Sequence, residues 1–415
     1  MPLDLGKRIQ EARVRNPYVD LFAAPGTRGL VLAGALARLP LPMAGIGIIT
    51  MLAQLRGSYA LAGAVSATFV LTYALLSPQI SRWVDQYGQH RVLPIATAIS
   101  VAGFVLLIAG SHWPVADWAL FPGALLAGCM PSMSAMVRAR WTAIYRGQPR
   151  LQTAYSLETV LDEVVFIAGP PLSVGLSVVV WPQAGLLATA LLLALGTAAL
   201  VVQRGTEPPA AGQACGDDRS ASVIRLTEVR LLALLMLAMG VIVGTVDIVS
   251  VAFAGQMGQP AAASLVLSAY AFGSCLAGLL FGAVRVPMSL HRQLLAGGLA
   301  TAATTLPLLL VDSIGALAGA VFVAGLFFAP TMIVAMSLIE RVVPARRLTE
   351  GMTWLLAGLN VGVALGAAAS GQVVDHSGTR VGFAVGLVAG AAVLLFALWA
   401  SVRLRGCGAQ AGELV

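Results

Sequence analysis

Five charged side chains stand inside otherwise apolar stretches of this sequence: Arg38, Glu158, Asp162, Glu163 and Asp247. A charge at the centre of a bilayer costs from about 3 to above 10 kcal/mol on contested scales. Such groups are retained where they meet a partner or a water-filled cavity. Helical rise puts Arg38 about 13 Å along its stretch, and Asp162 and Glu163 about 10–12 Å along theirs. Both stretches begin on the same side, so these three lie at similar depth. Glu158 is one turn nearer that side and shares a face with Asp162 at i, i+4. Arg138 and Arg140 offer Glu158 an alternative partner. Asp247 comes about 24 Å along its stretch. That height separates it from the others and makes it a candidate substrate or outer-gate contact.

An arginine facing two adjacent carboxylates can act as a proton switch. Neighbouring acids titrate as a pair, and protonating one releases its ion pair. Arg38, Glu158, Asp162 and Glu163 are therefore the candidate proton-coupling residues, with a fixed structural ion pair as the competing reading. Tyr73 and Tyr270 lie within apolar stretches, and their hydroxyls could line a substrate cavity. Asn360 joins them, as does Met133 from the row Met130, Met133, Met136. Methionine is flexible and suits adaptable apolar surfaces, although such a row equally serves packing.

Other chemistry finds no support. There is no phosphate-binding loop, no metal-ligand histidine pair and no G-x-S-x-G element. The four cysteines, Cys129, Cys215, Cys275 and Cys407, form no C-x-x-C spacing. No enzyme activity, cofactor or metal is expected.

These residues must be positioned by membrane helices. The 415 residues are 58% hydrophobic and 10% charged, against about 25% charged in soluble globular proteins. Apolar runs long enough to cross a bilayer fall at 29–52, 59–80, 92–110, 118–137, 155–180 and 183–203. A polar stretch follows, and then runs at 231–253, 263–284, 294–311, 314–339, 351–374 and 381–402. No cleavable leader is read before the first run. With the N-terminus inside, 22 of the 25 Lys and Arg fall in cytoplasmic segments, including Lys7, Arg8, Arg13, Arg15, Arg219 and Arg285. Only Arg56 and Arg380 fall outside, and Arg38 is within the first run. This asymmetry places both termini in the cytoplasm of a multi-pass cell-membrane protein. It also explains the net charge of +7 without nucleic acid as a partner.

The two sets of six runs repeat one another. Tyr73-Ala-Leu-Leu-Ser77 recurs as Tyr270-Ala-Phe-Gly-Ser274, and Pro131-Ser-Met133 as Pro330-Thr-Met332. The expected fold is an all-α membrane protein with twelve transmembrane helices in two pseudo-symmetric six-helix halves. The N-terminal half is 1–203, the cytoplasmic central loop 204–230 and the C-terminal half 231–415. Substrate in such architectures binds between the halves.

The arrangement resembles the major facilitator superfamily, along nearly the whole chain. The loop after the second run, Ser81-Arg-Trp-Val-Asp85-Gln-Tyr-Gly88-Gln-His-Arg91, is similar to the family's G-x-x-x-D-R-x-G-R-R pattern at Asp85, Gly88 and Arg91. Ser81 replaces the leading glycine and Gln86 the first arginine. The resemblance implies that Asp85 meets the positive end of the eleventh helix near Gly351 and favours the outward-facing state. In the fifth run, Gly169-Pro170-Pro-Leu-Ser-Val-Gly175 resembles the Gly-Pro signature of the family's drug:proton antiporters. Gly169 and Pro170 are thereby implied in the conformational change. Gly358, Gly362 and Gly366 give the eleventh run a small-residue face for close helix contact. The implied function is proton-coupled efflux of a lipophilic or amphipathic small molecule by alternating access. The expected partners are that substrate, protons and the lipid bilayer, with the chain a monomer. The alternatives are a proton symporter importing an organic solute or siderophore-like metabolite, and a non-transporting membrane receptor.

The orientation is directly testable. An impermeant thiol reagent applied to intact cells is expected to label cysteines introduced at positions 56 and 380, and to leave one at position 219 unlabelled.

Overall fold

A computed structural model describes residues 17–113, 116–210, 222–259, 262–284 and 286–410, apart from the side chains of 59–60 and 404–410. Lys7, Arg8, Arg13, Arg15, Cys215, Arg219 and Arg285, and the side chain of Cys407, lie outside the described residues. The described residues hold eleven helices long and apolar enough to cross a membrane. Backbone groups inside a bilayer must be paired within the structure, which a helix achieves segment by segment.

The first span, Thr27–Arg56, is two helices, Thr27–Arg38 and Pro40–Arg56. Pro40 and Pro42 have no N–H to donate, so the hydrogen-bond ladder lapses where Arg38 stands. Continuous helices follow at Tyr59–Tyr87 and Gln89–His112, which form the second and third spans. Gly88 joins them with φ +91°, a conformation open to glycine at no steric cost.

The expected fourth run, 118–137, differs from the structure. It is a short helix, Leu120–Ala127, then a non-helical stretch, then a helix at Met133–Tyr145. Pro131 cannot continue the ladder and disfavours helical geometry at Met130. Gly128 makes the break compact, since a Cβ there would fall 2.5 Å from Thr72 Cβ of the second span. The Ala127 carbonyl, freed by the break, accepts a hydrogen bond from Ser100 Oγ at 2.7 Å. The second helix runs eight residues past the expected end, and so carries Arg138 and Arg140 into the protein rather than into a loop. Both are fully buried. Pro330, the counterpart of Pro131, lies inside the unbroken helix Ile314–Val342.

The fifth span is Arg150–Val179, helical through Pro170 and Pro171. Gly169 lets it press on the first span, because a Cβ there would lie 2.7 Å from Pro42 Cγ. The sixth is Ala184–Val202. After the central stretch come Thr227–Gln256, Ala262–Ala283, Leu290–Leu310, Ile314–Val342, Leu348–Ser377 and Thr379–Gln410, called here the seventh to twelfth spans.

The seventh and eleventh spans meet backbone to backbone. A Cβ on Gly358, Gly362 or Gly366 would fall 2.5, 2.0 or 2.3 Å from the carbonyl oxygens of Ala233, Leu237 and Val241. Gly240 and Gly244 reciprocate, each 2.1 Å from a carbonyl of the eleventh span. The glycine face therefore binds the eleventh span to a neighbour in its own set.

Replacing Gly362 with valine is expected to lower stability by about 2–3 kcal/mol through overpacking, read as a lower melting temperature in detergent. Gly371→Ala serves as the control, since a Cβ there meets only Ile248 Cγ2 at 3.8 Å.

Candidate functional site

The non-helical stretch of the fourth span and the lapse in the first bring two arginines against the fifth span. Arg38 forms an ion pair with Glu158, and its Nη1 donates to Asp162 Oδ1 at 3.0 Å. Arg138 Nη2 meets Asp162 Oδ2 at 2.8 Å. Trp141 Nε1 donates to Glu158 Oε1 at 2.7 Å, and Ser134 Oγ to Asp162 Oδ1 at 2.8 Å. Two positive and two negative groups thus form a quartet of zero net charge. Arg38, Arg138 and Glu158 are at most 3% exposed, and Asp162 is 13% exposed. The i, i+4 spacing aims both acids at the first and fourth spans.

Glu163 points elsewhere, because adjacent helical residues are about 100° apart. Its Oε1 accepts from Ser274 Oγ of the eighth span at 2.8 Å. It is therefore not part of the Arg38 cluster, contrary to the expectation from depth alone. Asp247, on the seventh span, makes no ion pair or hydrogen bond among the described residues. Tyr270 lies one turn before Ser274 on the eighth span. Among the described residues neither Glu163 nor Asp247 has a cationic partner, and both are half-buried.

The other candidates are distributed as follows. Tyr73 is buried beside Ser132 and within range of the Asp162 charge. Met130, Met133 and Met136 are all buried in packed cores. Asn360 is half-buried. Arg138, an expected alternative partner of Glu158, instead joins the quartet through Asp162. Its signal in the sequence was Pro131, which shifts the helix boundary.

A second cluster closes one end of the bundle. Asp85 Oδ2 and Oδ1 accept from the backbone N–H groups of Glu350 at 2.8 Å and Thr349 at 3.3 Å. These are free donors at the start of Leu348–Ser377, where the helix dipole favours a carboxylate. Ser81 Oγ lies 2.7 Å from Thr353 Oγ1. Glu350 turns its side chain to Ser222 and to the Val223 N–H of the central stretch. At the same end Tyr18 Oη donates to the Leu279 carbonyl, Thr153 Oγ1 to the Gly282 carbonyl, and Arg146 pairs with Glu340. All these contacts join the chain before the central stretch to the chain after it, except that of Glu350. Arg91 is exposed.

Glu207, just past the sixth span, accepts from the His90 backbone N–H and lies 3.0 Å from His90 Nδ1. Burial disfavours its charge, but the His90 contacts and Arg140 outweigh this and hold its pKa below the usual carboxylate range. Its capping of the third span is therefore present at neutral pH and lost as the pH falls through that lowered value.

An all-helical bundle with eleven helices long and apolar enough to cross a bilayer among the described residues is that of a multi-pass membrane protein. The Major Facilitator Superfamily model matches residues 30–259 and 231–411, and the chain belongs to that family. No curated protein sequence matches it significantly. Among solved structures, it resembles a bacterial homologue of the iron transporter ferroportin in an outward-facing state. That match has TM-score 0.72 and 14% identity, and covers 91% of this chain and 99% of that one. The human organic anion transporter TETRAN gives TM-score 0.66 at 14% identity, covering 91% and 100%. The E. coli fucose:proton symporter gives 0.64 at 13%, covering 89% and 98%. At these identities the likeness is one of fold.

The quartet and Glu163 should separate in stability measurements. Arg138→Ala or Glu158→Gln leaves a buried charge uncompensated and is expected to destabilise by about 3–5 kcal/mol. Glu163→Gln keeps its partner Ser274 and is expected to leave the melting temperature near that of the unaltered chain. Thermal unfolding of the purified variants reads both.

Proposed function

We propose that this chain is a proton-coupled exporter of small lipophilic or amphipathic molecules, acting as a monomer by alternating access. The moving bodies are the halves 1–203 and 231–415, tethered by the loop 204–230. The broken fourth segment serves as the twelfth crossing, and both termini face the cytoplasm.

One observation carries the reading. Glu163, on the fifth span, accepts from Ser274 of the eighth, so this carboxylate bridges the two halves, and it has no cationic partner among the described residues. Such a carboxylate in a low-dielectric interior is costly to desolvate. Protons or cargo reduce that cost, which ties occupancy to the approach of the halves. Asp162 and Glu158 hold the first, fourth and fifth spans together. Their arginines already neutralise them, which favours Glu163 over Asp162 as the acid that carries the proton. The Asp85 contact supports a state closed at the cytoplasmic end, from which the cavity opens outward.

In proteoliposomes with an imposed pH gradient, Glu163→Gln is expected to lose gradient-driven flux while retaining substrate exchange at equal pH. Wild-type gradient-driven flux in this variant would exclude Glu163 as the coupling acid. Asp85→Asn is expected to slow transport and populate the inward-open state, with substrate affinity little changed. Distances between spin labels at the two ends of the bundle report that shift. Cells expressing the protein should accumulate less substrate than controls, and an uncoupler should abolish the difference. Higher accumulation would assign import.

A further inference from the structure

The shift of 197 residues that carries Tyr73 to Tyr270 also carries Asp85 to Gly282 and Thr153 to Glu350. Asp85 accepts from the Glu350 N–H, and Thr153 Oγ1 donates to the Gly282 carbonyl at 2.7 Å. Both copies of the repeat therefore keep a hydrogen bond at the same place, with the roles exchanged. In one, a side chain at the end of the second span accepts from backbone at the start of the eleventh. In the other, a side chain at the start of the fifth span donates to backbone at the end of the eighth. Residues 284–292, which follow the eighth span, contain no acid.

Two neighbours enlarge the second contact. Gln152 Nε2 donates to the Phe281 carbonyl at 3.0 Å, and Tyr18 Oη to the Leu279 carbonyl at 2.6 Å. The last carbonyls of a helix lack donors of their own, so this end can take them from outside. Tyr18 lies ahead of the first span, in Pro17–Asp20. Its segment is anchored on the fourth segment, with Leu21 fully buried and its carbonyl accepting from Tyr145 Oη at 2.9 Å. Gly282 allows the approach. A Cβ there would fall 2.4 Å from Ser156 Cβ and 2.6 Å from Tyr18 Oη, so the counterpart of Asp85 has no room for a side chain in this packing.

We propose that Tyr18, Gln152 and Thr153 form a second latch on the Asp85 end of the bundle, the counterpart of the Asp85 contact with its polarity reversed, and that this acid-free latch holds that end closed independently of Asp85. The segment ahead of the first span is thereby part of the gate. The inference rests on alternating access as proposed above, and not on proton coupling, cargo or direction.

Paired spin labels at the Asp85 end of the purified full-length chain in nanodiscs read the ratio of open to closed populations, with no gradient and no substrate. Tyr18→Phe and Thr153→Val are each expected to raise that ratio about fivefold. Thr153→Ser keeps the donor and should leave the ratio unchanged, which separates loss of the hydrogen bond from loss of packing. Gly282→Ala should raise it, because the added methyl clashes with Ser156 and Tyr18 only when the halves are together. The factor for Tyr18→Phe/Thr153→Val should multiply with that for Asp85→Asn, since the two latches share no partner. Thr68→Val removes a bond within the second span alone and serves as the control. Size-exclusion profiles identify the folded variants.

An unchanged ratio in folded Tyr18→Phe/Thr153→Val, beside a raised one in Asp85→Asn, would overturn the second latch and leave alternating access standing. So would a Thr153→Ser ratio equal to that of Thr153→Val. A ratio that no variant moves, Asp85→Asn included, would overturn both the latch and the alternating-access reading.

Discussion

Compensation of buried charge organises this protein. In a medium of low dielectric constant an isolated ion is too costly to keep. Arg38 and Arg138 therefore fix where Glu158 and Asp162 must lie, and so how the first, fourth and fifth spans pack. Both arginines reach the fifth span from places where the helical ladder is interrupted, at Pro40 in one case and before Met133 in the other. Ser134, Trp141 and Thr159 add hydrogen bonds around them, while the buried Arg138 Nε has no partner among the described residues. The set is neutral as a unit, which leaves Glu163, one residue from Asp162, as the place where charge remains unsettled.

The two regions of the molecule use electrostatics differently. At one end, Asp85 binds backbone donors of the eleventh span. That contact joins two helices through backbone donors of the receiving one, with the Thr349 side chain beside them. Side-chain contacts from Ser81, Tyr18, Thr153 and Arg146 surround it. Such polar contacts at a rim can exchange with water when the end opens. The glycine contact between the seventh and eleventh spans cannot exchange in this way, because it depends on backbones touching. The structure thus sets an exchangeable seam between spans of the two sets beside a permanent one within the second set.

Much of the architecture was legible in the sequence because the bilayer imposes length and hydropathy on each crossing. The arginine asymmetry and the Asp85 to Gly88 loop could be read for the same reason, since each belongs to a turn between defined helices. The partnership of Arg38 with Asp162 followed from depth and charge. Glu163 was misplaced because depth along a single helix does not contain the direction of its side chains. Glu158 and Asp162 share one face at i, i+4, and that spacing already implies that Glu163 looks away. The boundary of the fourth span was missed because hydropathy averages over Arg138 and Arg140 and ignores Pro131. Met133 was ambiguous by residue type, and packing against its neighbours accounts for its buried position.

The ion quartet has a consequence for how the chain is made. Synthesis proceeds from the N-terminus, and Glu158 follows Arg38 by 120 residues. When the first span reaches the translocon, neither of its acids has yet been translated. Insertion scales put the cost of an arginine at a helix centre at roughly 2.5–3.5 kcal/mol, which the leucines, alanines and valines around Arg38 must cover at that moment. The fifth span then arrives with three acids and meets a waiting countercharge. The order of the genetic message thereby makes the first span a receptor for the fifth during biogenesis, so the earliest partner this arginine serves is another part of its own nascent chain.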